Sequence, residues 1–328
     1  LAAVNQKYNG TGLEFAPKKF RHDREIVLAA CKTWGWAIKY ASKELRNDRE
    51  IVLAACKSEN TNVLRYASEN LRNDREIVLA GKTLDYVSKE LRNDREIVLA
   101  ACKYCGAAIR YASKELRNDR EIVLAACKTW GWAIKYASKE LRNDREIVLA
   151  AVSSKDESSS GIAIKYASKE LRNDREIVLA ACKTCGSALE YVSEDLRNDR
   201  EIVLAAFSKR RNDIVYIFSE ILTKELKNDR EIVLAAVTQN GSNLRYVPRE
   251  LRNDLEIVLA ACKTCGSALE YVSEDLRNDR EIVLAAVNHK SGDALKYISK
   301  DLRNDREVVF TAIKNNGEVL KFMTKWSD

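Results

Sequence analysis

Three cysteine pairs at C-x-x-C spacing, Cys102 with Cys105, Cys182 with Cys185 and Cys262 with Cys265, are the first candidates for chemistry. Two such pairs brought together could hold zinc, and one alone could cycle between dithiol and disulfide. Successive pairs lie 80 residues apart, however, too far for a chain packed in sequence order to give one ion four ligands. The first Cys of each pair fills a slot taken elsewhere by Phe207, Val237, Val287 and Ile313, which reads as a small core residue. Gly81-Lys82-Thr83 imitates the end of a phosphate-binding loop, yet Glu76 stands where that loop needs its upstream glycine. His22 and His289 are the only two histidines, and no Ser-His-Asp set or nucleophile elbow accompanies them. The expectation is a chain that is not an enzyme and takes no cofactor or metal.

What positions these residues is a repeat. The string LRNDREIVLAA or a close variant places an Asp at 23, 48, 74, 94, 119, 144, 174, 199, 229, 254, 279 and 305. The period is 25, broken by one interval of 20 and two of 30, so whole five-residue blocks are lost or gained. The short unit falls around 74–93 and the insertions around 152–161 and 208–225. Leu1-Ala2-Ala3-Val4 matches the LAAC end of the same string, so the sequence opens inside a further unit. The expected domain organisation is one array over 1–328.

Within a unit, Asn47-Asp48-Arg49-Glu50 reads as a capping box, with Asn47 as N-cap and Glu50 three residues on. A first helix follows through Ile51, Val52, Leu53, Ala54, Ala55 and Cys56, apolar on every side as expected between neighbouring units. Truncating Leu53 to Ala is therefore expected to cost about 2 to 5 kcal/mol. A turn holding Gly35, Gly106, Gly131 or Gly186 suits the C-terminus of that helix. A second, amphipathic helix, such as Trp36 to Ala41, ends where Pro17 and Pro248 replace Ser42. A short third turn, Ser42 to Leu45, returns to the core. Two short helices cannot bury their own apolar faces, so the expected fold class is all-α, an α-solenoid of about twelve stacked 25-residue helix-turn-helix repeats.

The unit S-x-E-L-R-N-D-x-E-I-V-L-A-A-V/C-x-x-x-G-x-A-L-x-Y-A resembles the tandem repeats known as domain of unknown function 4116. The resemblance covers nearly the whole chain. It implies architecture, and it brings no activity, cofactor or catalytic residue with it.

Function must then come from surfaces. The net charge of +7 belongs to the first half, with 28 basic and 20 acidic residues in 1–150 against 28 and 29 in 151–328. Repeated Arg46, Asp48, Arg49 and Glu50 are expected to stack as a compensating, solvated ladder. Trp34, Trp36, Trp130 and Trp132 are candidate partner-binding residues, since interfaces favour Trp at their centres. Ser153, Ser154, Ser158, Ser159 and Ser160, in the inserted SSKDESSS, form a candidate modification loop expected to be exposed. Nine Cys, an odd number recurring at one repeat slot, point to a reducing compartment such as the cytoplasm, although Asn9-Gly10-Thr11 and Asn240-Gly241-Ser242 are glycosylation-type triplets. No apolar run approaches the roughly 18 residues of a membrane span.

The leading expectation is a non-catalytic protein-protein interaction scaffold, its partners being other proteins or further copies of the same array. Near-identity of residues 182–206 and 262–286 favours selection on overall shape, which suits a scaffold. The alternatives are an RNA-binding helical repeat using the basic residues 1–150, where Tyr40, Tyr66, Tyr86, Tyr111 and Tyr136 recur, and the regulatory arm of an enzyme whose catalytic domain lies outside this chain.

Overall fold

A computed structural model describes residues 12–58, 62–156, 158–208, 214–290 and 293–315. Every element among them is helical. The repeats group into two compact units, Leu1–Ser168 and Lys169–Asp328, and each is an all-α stack of tandem repeats, as the periodicity predicts.

One repeat shows how the sequence builds each unit. Asp119 caps the helix Arg120–Thr129, its carboxylate accepting from the amides of Glu121 and Ile122 at 3.0 and 3.1 Å. After one extended residue, Trp130, comes the 3-10 helix Gly131–Tyr136. Ala137 is extended again, and the 3-10 turn Leu141–Asn143 leads to the next cap, Asp144. Two sequence expectations shift here. The N-cap is Asp, one residue beyond the expected Asn, because a carboxylate placed there satisfies two orphan amides at once. The second helix is 3-10, with i to i+3 bonds such as Ala137 N to Ile134 O at 3.1 Å, a form suited to six-residue pieces.

The core of the repeat is one face of the first helix, Ile122, Val123, Ala126 and Cys127, closed by Ala133, Ile134 and Ala137. Leu124 and Ala125 lie on the other face and are half-buried. Leu53 occupies the same half-buried place, so the helix is not apolar-packed all round and Leu53 is not a core residue. The third turn of each repeat is likewise at the margin: Leu45 is half-buried, and only Leu71 and Leu226 at that slot are buried. Pro17 and Pro248 stand as N-caps of Lys18–Arg21 and Arg249–Asn253, the positions that the proline argument requires.

Neighbouring repeats are tied by polar bonds as well as by packing. Ser68 Oγ donates to Asn47 Oδ1 at 2.5 Å and Ser113 Oγ to Asn93 Oδ1 at 2.6 Å, which explains what the displaced Asn does. The glycines serve the same joint and do not end helices. A Cβ on Gly131 would stand 2.5 Å from the Ala151 carbonyl oxygen of the next repeat, and one on Gly186 would stand 2.7 Å from that of Ala206. Only a residue without a side chain lets the backbones approach that closely.

The short unit folds differently from its neighbours. Its first helix, Arg75–Gly81, stops early at Lys82, which is left-handed with φ 48° and returns its amide to Val78 and Leu79. Tyr86 is also left-handed, with φ 63°, and turns replace the second helix. Gly81-Lys82-Thr83 is thus a helix end.

Candidate functional site

Each repeat presents two edges and one open helix face. On the first edge, Arg49 donates from Nε to Asp74 at 2.8 Å and from Nη2 to Glu76 at 2.5 Å, both in the next repeat. Arg24, Arg75, Arg95 and Arg120 do the same through the first unit, as do Arg175, Arg200, Arg230 and Arg280 in the second. The ladder expected from Asp48, Arg49 and Glu50 is therefore present. The hydrogen bond from Arg49 holds the Asp74 carboxyl below the usual carboxylate range, outweighing its desolvation, and the amides of Ile77 and Glu76 add to the effect. Leu255 sits at the Arg slot, half exposed, and breaks the ladder in the second unit.

The open helix face runs beside this ladder. Leu28, Leu53, Leu79, Leu99, Leu124 and Leu149 recur there at one slot of the first unit, each half-buried and next to a half-buried Ala. Exposed Lys32, Lys57, Lys103 and Lys128 border them on the far side. In the second unit the same face forms a shallow groove of about 700 Å3 lined by Leu259, Leu284, Ala285, Lys263, Glu281 and His289. Phe310 takes the Leu slot nearby and is 68% exposed. Sequence reading missed this face because it took the IVLAAC run as uniformly buried. The signal was available in the helical period, which sets Ile51, Val52, Ala55 and Cys56 on one side and Leu53 and Ala54 on the other.

On the second edge, the 3-10 helix and the third turn carry Lys39, Lys43, Arg46, Arg65 and their repeats. Arg46 lies here and takes no part in the ladder, contrary to the sequence expectation. With Lys43, Tyr66 and Ser68 it lines a notch between adjacent repeats. Tyr111 receives the Arg110 guanidinium over its ring at 4.4 Å and that of Arg92, from the preceding repeat, at 5.5 Å.

The tryptophans lie at the joints. Trp36 packs edge-on against Tyr66 of the next repeat, with centroids 6.0 Å apart. Trp130 stacks on Tyr136 at 6.2 Å and tilts against Trp132 at 6.4 Å. Trp132 is 38% exposed, while Trp34, Trp36 and Trp130 are half-buried. The structure therefore joins Trp130 and Trp132 in one cluster and turns much of Trp36 into packing.

The serine loop departs from expectation. Ser154, Ser159 and Ser160 are buried, and only Ser153 and Ser158 are exposed, with Glu157 outside the described residues. Asp156 organises the insertion by accepting from the hydroxyls of Ser158 and Ser159 at 2.6 and 2.8 Å, and Ser159 Oγ accepts from the Gly131 amide at 3.1 Å. The insertion folds back to fill the turn, so an exposed modification loop over all five serines is corrected to two exposed positions.

All nine thiols are free. Burial pushes the Cys31, Cys56 and Cys102 thiols up to about 12, consistent with inert core residues. Cys105 is exposed, and Cys185 Sγ lies 3.1 Å from Ser187 Oγ. His22 Nδ1 lies 3.0 Å from the Lys18 carbonyl oxygen on the surface. Among the described residues no group of three or more His, Cys, Asp or Glu could hold a metal ion, and no helix is long and apolar enough to cross a membrane. Asn9-Gly10-Thr11 and Leu1 to Val4 lie outside the described residues. In the other triplet, Asn240 Oδ1 accepts from the Ser242 amide and hydroxyl at 3.0 and 2.8 Å.

A family model described as a domain of unknown function, DUF4116, matches at residues 3–46, 23–62, 48–80, 81–117, 119–172, 158–197, 174–222, 220–252, 254–290 and 288–326. No curated protein matches the chain.

Proposed function

The chain belongs to the DUF4116 family of tandem helical repeats, and from that premise we propose that it is a non-catalytic protein-protein interaction scaffold. The observation that carries this reading is the open helix face. Half-buried Leu recurs at one slot through the first unit, and the same slot lines a groove of mixed apolar and charged character in the second. An isolated half-exposed Leu needs no explanation, but a row of them repeated in register marks a surface built for contact. The flanking charges suit such a role. The ladder neutralises itself on one side and fixes the repeat spacing, while the lysines on the other keep the apolar strip soluble and favour an acidic rim on a partner. The bound partner is another protein or a further copy of the array.

The test is affinity capture with the full chain in nuclease-treated extract, alongside a variant carrying Leu99→Gln, Leu124→Gln and Leu149→Gln. Proteins retained by the parent and released by the variant at unchanged helicity support the scaffold. Sedimentation of the purified chain separates self-association from capture of other proteins. An identical retained set, with no change in self-association, overturns the assignment of this face.

A further inference from the structure

The second edge of the first unit differs from the ladder edge in how its charges are spent. Every ladder arginine from Arg24 to Arg120 is paired with two carboxylates. By contrast Lys39, Lys43, Arg65, Lys89, Lys114 and Lys135 are exposed, with no carboxylate at ion-pairing distance among the described residues, while Arg110 at the Lys39 slot lies 4.0 Å from Asp85. Four of the acidic residues interspersed with them bind within their own turn. Glu44, Glu90, Glu115 and Glu140 each sit below the usual carboxylate range, first because their own backbone amide binds them. Several positive charges on this edge are therefore open to a partner, with Glu69 and Asp85 as the acidic interruptions.

Two further features share that edge. Tyr40, Tyr66, Tyr111 and Tyr136 are half-buried and Tyr86 is 45% exposed, one ring per repeat, with basic side chains against most of them. The notches between repeats, one lined by Lys43, Arg46 and Tyr66 beside Glu44 and Glu69 and the next by Arg72 and Tyr86 beside Glu69 and Glu90, hold arginines with an unspent donor. The Nε atoms of Arg46, Arg72, Arg92 and Arg142 are buried and have no hydrogen-bond partner, whereas that of Arg117 donates to the Ala112 carbonyl at 2.9 Å. A flexible chain carrying one anion and one flat ring per residue satisfies all three features together. An acidic peptide would satisfy the charge alone.

We propose that the edge of the first unit carrying Lys39, Lys43, Arg65, Lys89, Lys114 and Lys135 binds single-stranded nucleic acid, its phosphates on these side chains and its bases against the tyrosine rings. The basic row is interrupted once at each slot in the first unit, by Asp85 at the Lys39 slot and Glu69 at the Lys43 slot, and more heavily in the second. Glu194 and Glu274 stand at the Lys43 slot, and Glu190 and Glu270 at the Lys39 slot. This edge is distinct from the leucine face, so either proposal can fail without the other.

The test uses the full chain with fluorescein-labelled poly(U) and poly(dT), read by anisotropy. A strand engaging about five phosphates loses roughly 100-fold in affinity between about 50 and 200 mM salt. The variant Lys43→Glu, Lys89→Glu, Lys114→Glu and Lys139→Glu installs at each position the residue that Glu194 and Glu274 already supply, so the repeat accommodates it. It is expected to bind at least about tenfold more weakly, with a shallower salt dependence and unchanged helicity. The Leu99→Gln, Leu124→Gln and Leu149→Gln variant is expected to bind as the parent does. RNA and DNA arms report whether the sugar is read, and binding in either supports the edge. Absence of salt-sensitive binding, indifference to the four lysine substitutions, equal binding of duplex, or capture of poly-glutamate in place of the strands overturns the proposal.

Discussion

Replacing glycine by alanine is expected to have opposite signs at two positions of the first unit. At Gly131 the added Cβ would lie 2.5 Å from the Ala151 carbonyl oxygen and 2.9 Å from Ser160 Cα, where ordinary contact begins at 3.4 Å. Both obstacles are backbone, so the repeats must separate by several tenths of an ångström at a closely packed joint. Overpacking of this kind costs about 1 to 3 kcal/mol. At Gly81 the Cβ would meet Cys56 Sγ at 3.5 Å, an ordinary contact, and the residue is the last of the helix Arg75–Gly81. Alanine there restores the residue found at the Ala55 slot and gains up to about 1 kcal/mol of helix propensity. Urea denaturation followed by circular dichroism gives the two signs. Amide exchange localises them, since a nearest-neighbour array feels such changes mainly at the altered joint. A Gly131→Ala variant within about 0.5 kcal/mol of the parent, or a Gly81→Ala variant less stable than it, refutes the close-approach account.

Three other outcomes follow from the same structure. Asp74, Asp144, Asp229 and Asp254 are held below their ordinary range in the folded chain, first by the arginine of the preceding repeat. Their contribution is full above the unfolded carboxylate value of about 3.9 and is lost as pH falls through the lower folded values, so the midpoint in urea should drop below about pH 4 and remain flat from pH 5 to 7. Native labelling with a thiol reagent at pH 8 is expected to modify exposed Cys105 first, while Cys31, Cys56 and Cys102, pushed up to about 12, react only after unfolding, as peptide mapping would show. Ile51→Ala, at a fully buried site, should cost about 2 to 5 kcal/mol in urea denaturation, and Leu53→Ala, at a half-exposed one, clearly less.

The repeat, its two helices, the proline positions and the charge ladder were legible because each is written as identical residues at identical spacing. Finer assignments failed where one residue type serves two physical ends. Asn and Asp both cap helices, and only the fold shows that Asp48 takes the amides while Asn47 takes the Ser68 hydroxyl of the next repeat. Glycine marks both helix ends and close approaches, and at Gly131 and Gly186 the neighbour that demands it lies a repeat away. The serines of the insertion look like solvent-exposed linker by composition, yet Asp156 gives their hydroxyls internal partners. The two candidate surfaces were least legible. One hides in the phase of an apolar run, and the other depends on which charges are already paired, a property of geometry and not of composition.

The ladder also has a direction. Ladder arginines such as Arg95 reach forward to the Asp and Glu of the following repeat, and Ser hydroxyls such as that of Ser113 reach back to the Asn of the preceding one. Joints built this way offer the same half-connections on their two sides, so such a repeat behaves as an interchangeable cassette. Removing residues 94–118 as a block would set Arg75 against Asp119 and Glu121, the partners that Arg95 now holds. Gene segments of this length can therefore be lost, copied or exchanged without any compensating change at the seam. Such an array can vary its reach and its surface charge, repeat by repeat, while leaving its architecture alone.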